Sequence, residues 1–161
     1  MLEIGTNSYI NKEFADEYIS SRYPSADENR KRWEFLENDD KEIFLRQAMD
    51  VLEALPWQGR KADYSQTLAF PRLPFQYGKI EEIAPLLIKQ AQAELAFALS
   101  DTAKQAEGEK RAELQAQGVE SFSIGDLSES YGYGKGGTGA AASLPAKVKK
   151  LVAPYLNGGY V

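Results

Sequence analysis

The sequence predicts a mainly α fold, a small bundle of about four to five helices with a long ordered loop, a short β-strand or hairpin segment and a tethered C-terminal helix. Three observations predict it. Apolar residues recur at helical spacing in successive stretches between residues 9 and 105 and again in 144–156. A stretch dense in proline and aromatic residues, 56–79, interrupts them. Beyond the helices, a short alternating segment and a glycine-rich run precede the last apolar stretch.

The first helix is expected within 9–22. Asn11 suits the N-cap, Glu13 and Asp16 favour the positive end of the helix dipole, and Phe14, Ala15, Tyr18 and Ile19 form the stripe. Tyr23-Pro24 ends it, because the residue before proline avoids the helical region. Residues 25–36 are polar and close on Trp33, Phe35 and Leu36, with Ser25 or Asp27 as cap of a short helix. Residues 39–55 form the clearest early helix. Asn38 or Asp39 caps it, and Phe44, Leu45, Ala48, Met49, Leu52 and Leu55 make its buried face before Pro56 stops it.

The 56–79 stretch carries Pro56, Pro71 and Pro74 with Trp57, Tyr64, Phe70, Phe75 and Tyr77. Prolines at this density break regular structure, yet the rings must bury against something. The stretch therefore reads as an ordered, packed loop. The longest helix is expected over 81–105, with Pro85 tolerated in its first turn. Ile83, Leu87, Ile88, Ala91, Leu95, Ala98 and Leu99 lie on one side.

Residues 106–131 read as a polar linker followed by a β segment. Val119-Glu120-Ser121-Phe122-Ser123-Ile124 alternates apolar and polar, and residues 127–133 form a return strand after a turn at Gly125-Asp126. Residues 132–143 (GYGKGGTGAAAS) are a glycine-rich linker. The last segment, 144–161, contains a short amphipathic helix with Leu144, Val148, Leu151, Val152, Tyr155 and Leu156 apolar. It either folds back on its own domain or reaches a neighbouring subunit, the second being slightly favoured. Residues 1–105 thus form one helical domain.

Composition excludes much chemistry. The 161 residues include no cysteine and no histidine. Disulfides, thiolate metal sites and cysteine nucleophiles are ruled out, and the commonest general base is missing. No enzyme activity, cofactor or metal is expected. The net charge of −5 argues against a general affinity for nucleic acid, which rests on Lys and Arg neutralising phosphates. No apolar run approaches the ~20 residues of a membrane helix. The start lacks the pattern of a secretory signal, so a soluble protein made in the cytoplasm is expected.

Some features invite sharper readings. The glycines around Lys135 lack the following Ser or Thr, and the flanking strand and helix, of a phosphate loop. The carboxylates of 39–42 and 81–82 fall at expected helix starts, where the dipole accounts for them. Trp57, Tyr64, Phe70 and Tyr77 with Arg60, Lys61, Arg72 and Lys79 could stack bases and follow a phosphate backbone. The alternative, that these rings seal the core or a subunit interface, where Tyr, Trp and Arg are enriched, is preferred.

The order of these features resembles a family, the head–tail connector adaptors (head completion or neck proteins) of long-tailed bacteriophages. The resemblance rests on Thr6-Asn7-Ser8-Tyr9-Ile10 leading into Glu13-Phe14-Ala15-Asp16-Glu17-Tyr18, and on Arg46-Gln47-Ala48 through Leu52. It continues in Trp57-Gln58-Gly59-Arg60-Lys61, Leu68-Ala69-Phe70-Pro71-Arg72, Ile88-Lys89-Gln90-Ala91 and Glu94-Leu95-Ala96. Ser121 to Leu127 and the closing Pro154-Tyr155-Leu156 complete it.

The resemblance implies a homo-oligomeric, dodecameric ring in the virion neck. The ring would dock on the portal protein and carry a downstream neck or tail-completion protein. Genomic DNA would pass its lumen without sequence-specific binding, and no membrane is involved. Trp57, Arg60, Tyr64, Phe70, Arg72, Phe75, Phe122, Ile124, Leu127, Leu151 and Tyr155 are then the candidate subunit or portal interface. Some similar sequences carry a DnaT-like label, which implies the alternative, a single-stranded-DNA-binding replication accessory protein.

Overall fold

The structure, a computed structural model, describes residues 1–75, 82–101 and 144–157. Within them are five α-helices and one two-stranded hairpin, so the mainly α expectation holds. Helix α1 spans Lys12–Arg22, and Asn11 caps it by accepting from the Phe14 N–H at 2.8 Å. Helix α2 spans Glu28–Phe35, with Asp27 accepting from the Arg30 N–H at 3.0 Å. Both caps are local bonds to the third residue onward, which is why the sequence located Asn11 and narrowed the second to Ser25 or Asp27, of which Asp27 is the cap.

Helix α3 spans Asn38–Glu53. Its cap position is Glu37, one residue earlier than Asn38, and no side chain bonds there. Asp39 and Asp40 sit in the first turn and favour it through the dipole instead. Helix α4 spans Leu86–Leu99. It starts later than the expected residue 81 because Pro85 is its N-cap, extended at ψ 151°, rather than a first-turn residue. That makes α3, not α4, the longest described helix.

Strands β1, Arg60–Lys61, and β2, Arg72–Leu73, pair antiparallel, with Arg60 opposite Leu73 and Lys61 opposite Arg72. Residues 56–75 of the long loop are therefore ordered, as expected, and close on a small ladder, while 76–79 lie outside the described residues. Gly59 permits the closure. Its φ is +79°, and a Cβ there would lie 2.0 Å from the Leu73 carbonyl oxygen. The Phe70-Pro71 and Leu73-Pro74 peptide bonds are cis. The expected β segment at 119–131 and the glycine-rich run at 132–143 lie outside the described residues.

Helix α5, Ala146–Val152, continues into a 3₁₀ turn at Ala153–Tyr155. It packs on α4 of its own chain and buries Leu144, Val148, Val152 and Leu156. The Gln58 N–H donates to the Tyr155 carbonyl at 2.8 Å, and the Asn157 N–H to the Pro56 carbonyl at 3.1 Å. These bonds, with the bridge between Trp57 and Leu156, tie the end of the chain to the aromatic loop. The slight preference for docking on a neighbour is thus corrected within this chain.

The centre of the fold is α4, which packs against α3, α5 and α1. One buried face was expected. Every residue from Ala91 to Phe97 is buried, including Gln92 and Glu94. Ala91, Ala93 and Ala96 let the surrounding helices approach closely. On α3, Leu45, Ala48, Met49 and Leu52 are buried as expected, and so is Lys41, which the apolar pattern missed. The Lys41 Nζ is 3.1 Å from the Asp16 carboxylate, which also accepts from Trp33 Nε1 at 2.8 Å. These bonds stabilise a charge that burial alone would penalise.

Candidate functional site

The aromatic loop carried most of the expected interface residues, and the structure sorts them into two groups. Trp57 and Phe70 are buried in the chain's own core. Their rings pack edge to face at 5.0 Å, and Phe70 meets Tyr9 at 5.9 Å and Tyr155 at 6.0 Å. Phe75, half-buried, packs on Tyr155 at 5.0 Å. Trp57 Nε1 donates to the Leu52 carbonyl at 2.8 Å, so its polar edge is used as well. These five rings form one cluster that seals α3 and the C-terminal segment against the loop.

The Phe70 backbone is held by two further groups. Tyr9 accepts from the Phe70 N–H at 3.3 Å and donates to Glu53, whose other oxygen accepts from the Ala69 N–H at 2.8 Å. Burial, reinforced by the Glu53 carboxylate, pushes the Tyr9 hydroxyl well above the ordinary tyrosine range. Tyr9 is therefore a neutral structural pin.

Arg72 serves the hairpin. Its guanidinium donates to the carbonyls of Gln58 at 2.9 Å, Gly59 at 2.7 Å and Ala69 at 3.3 Å. Arg60 and Tyr64 lie outside the cluster. Arg60 is exposed on β1, and Tyr64 is 88% exposed in the turn beyond it. Leu151 is half-buried on α5. Phe122, Ile124 and Leu127, like Tyr77 and Lys79, are outside the described residues. The structure thus brings Trp57, Phe70, Phe75, Arg72 and Tyr155 together, and leaves Arg60 and Tyr64 at the surface.

A second polar and aromatic constellation went unseen in the sequence. Glu94, on the central helix, accepts from Tyr18 at 3.0 Å and from Tyr23. Lys147, on α5, donates to the Tyr23 hydroxyl at 2.8 Å and lies 4.3 Å over the Tyr23 ring. The Tyr23 ring stands 4.6 Å from Phe97, tilted by 44°. Burial and then the Glu94 carboxylate push the Tyr18 hydroxyl up to about 12. Burial and the Glu94 hydrogen bond raise Tyr23 further in the same direction.

Beside Tyr23 an open cleft of about 290 Å³ runs between α2, the C-terminal end of α4 and the start of α5. Arg32, Phe97, Asp101 and Lys147 line it with Tyr23. Its residues come from positions 23, 32, 97 and 147, which no local pattern connects. Tyr23 itself reads, with Pro24, only as a helix end.

Among the described residues no three His, Cys, Asp or Glu side chains converge to hold a metal ion. No described helix is long and apolar enough to cross a membrane.

A family model described as "Putative DnaT-like ssDNA binding protein" matches residues 2–161. Neither a curated protein nor a solved structure matches the chain.

Proposed function

The chain belongs to the DnaT-like family, and from that premise we propose that it is a non-catalytic binding protein whose ligand is single-stranded DNA. The observation that carries this reading is the family match itself, which spans the chain from residue 2 to its end. The residue inventory agrees with binding rather than catalysis, since the chain has no histidine or cysteine. The net charge of −5 sets a condition on the mechanism. Attraction to phosphate has to come from a local group of cations, because the chain as a whole repels a polyanion.

The test is an anisotropy titration of a fluorescein-labelled oligo-thymidylate at several salt concentrations. Micromolar affinity that weakens with salt supports the reading, with a log–log slope near −0.7 for each phosphate neutralised. An oligonucleotide that stays free at the lowest salt and saturating protein removes it.

A second reading rests on the resemblance to head–tail connector adaptors and on a surface observation. Phe35 is 86% exposed, Leu86 60% and Ile43 41%. Scattered exposed apolar side chains are ordinary, but a ring subunit would cover them against neighbours. In this reading the protein forms a dodecameric ring on the portal in the virion neck, joins it to the next neck component and lets DNA pass without gripping it. Native mass spectrometry of the protein alone and with portal rings tests it. A monomer that ignores the portal counts against it.

A further inference from the structure

The sequence pointed to the aromatic loop as the place where bases would stack, and the structure spends that loop's main rings on the core. Trp57 and Phe70 are buried, and Arg72 is turned onto three backbone carbonyls. Tyr64 and Arg60 remain exposed. A strand needs rings and cations at one accessible surface.

That combination occurs at the Tyr23 cleft. We propose that this cleft, with Arg32 and Lys147 flanking Tyr23 and Phe97, is where the protein holds a nucleotide of single-stranded DNA. The inference rests on the single-stranded-DNA reading above and gives that reading a location.

Two ring–cation pairs line it from separate parts of the chain. Lys147 lies over Tyr23 at 4.3 Å, and Arg32 faces Phe97 at 6.0 Å. The cleft volume of about 290 Å³ is at the lower bound for small-ligand sites, enough for one nucleotide unit rather than a long segment. The Arg32 guanidinium donates to Asn29 Oδ1 at 2.6 Å and to Ser100 Oγ at 3.3 Å, which fix it at the cleft wall.

The cleft is not uniformly basic. Glu94 and Asp101 line it too. Glu94 is buried, and its two carboxylate oxygens accept from the Tyr18 and Tyr23 hydroxyls. Asp101 lies 3.8 Å from Arg32 and orients that guanidinium. Lys149 and Lys150 are exposed on the same short helix as Lys147, and Lys150 is three residues on, next to Lys147 on the helix surface. A base would pack against the half-buried Tyr23 ring at the cleft wall, which the buried Phe97 ring backs at 4.6 Å. The phosphates on either side would meet Lys147 and its helix neighbour Lys150. The acidic remainder of the protein would keep the strand from spreading elsewhere.

Photo-cross-linking places the contact on the unaltered protein. A bromodeoxyuridine-substituted oligo-thymidylate is irradiated with the full chain at low salt, and the products are digested with trypsin. The expected adduct lies on the peptide running from Tyr23 to Arg30. An adduct on the peptide running from Ala62 to Arg72, which contains Tyr64, overturns the placement and leaves the single-stranded-DNA reading standing.

Anisotropy titrations of Lys147→Gln and of Arg60→Gln give the second readout. Lys147→Gln is expected to weaken binding about five- to tenfold and to make the salt slope shallower by roughly 0.7, the value of one lost phosphate contact. Arg60→Gln should leave both unchanged. The reverse order of effects, or equal affinities for Lys147→Gln and wild type, overturns the inference. If the wild-type chain binds no oligonucleotide at all, the single-stranded-DNA reading falls and takes the cleft assignment with it.

Discussion

Gln92→Leu perturbs the most consequential polar group in the fold. Gln92 is fully buried on α4 and joins three segments. Its Oε1 accepts from the Tyr9 N–H at 3.0 Å. Its Nε2 donates to Ser8 Oγ at 2.7 Å and to the Leu45 carbonyl at 3.1 Å. Leucine has a similar volume, so little cavity opens and the cost lies in the partners left behind. The Tyr9 N–H loses its acceptor in a dry site, which costs about 1–3 kcal/mol. Ser8 Oγ keeps its bonds to Ile10, and the Leu45 carbonyl stays inside α3, so each of those losses costs about 0.5–1 kcal/mol. The expected total is ~2–5 kcal/mol, a large part of the 5–15 kcal/mol typical of a domain.

Urea unfolding followed by tryptophan fluorescence and far-UV circular dichroism measures this. The midpoint should fall while the slope stays constant, because the surface exposed on unfolding hardly changes. On heating, the same loss corresponds to about 4–20 °C in Tm for a chain of this size. A Gln92→Leu protein within about 0.5 kcal/mol of wild type would refute the reasoning. It would mean that the three bonds contribute no net stability, or that water reaches the site.

Gly59→Ala should cost about 2 kcal/mol or more, since φ +79° disfavours a side chain and the new Cβ would collide with the Leu73 backbone; wild-type stability in urea would show that the hairpin shifts freely. Stability should decline at alkaline pH. Tyr18 titrates near 12 in the folded chain against 10.0 when unfolded, and Tyr9 and Tyr23 are raised in the same direction. The folded state therefore holds its protons longer, and the stabilisation is complete below pH 10 and lost as pH rises toward 12. Urea midpoints taken across that window check the sign, and a midpoint that rises contradicts it. Phe35→Ser should leave stability within about 0.5 kcal/mol, because the ring is 86% exposed. If the connector reading holds, the same change weakens assembly in sedimentation velocity, whereas an unchanged oligomer removes Phe35 from the interface.

The sequence by itself determined the features set by bonds within a few residues. Asn11 and Asp27 locate the starts of α1 and α2 because a cap reaches only the next turn. The apolar spacing of Leu45, Ala48, Met49 and Leu52 names the inner face of α3, whereas the expected start of α4 at residue 81 comes too early, with Pro85 inside the helix rather than at its cap.

Tertiary structure decided what each of those elements meets. Gln92 and Glu94 look like the polar side of an amphipathic helix, yet both are buried because α1, α3 and α5 surround α4. Trp57 and Phe70 could equally have faced a ligand, and only the docking of 144–157 against the loop commits them to the core. The Tyr23 cleft depends on the same docking. Lys147 reaches Tyr23 across 124 residues of chain, and Phe97 reaches it from a third element. Local rules act over one helical turn, whereas burial and charge partners depend on which distant surfaces come together, so the candidate site became visible only when the helices were packed.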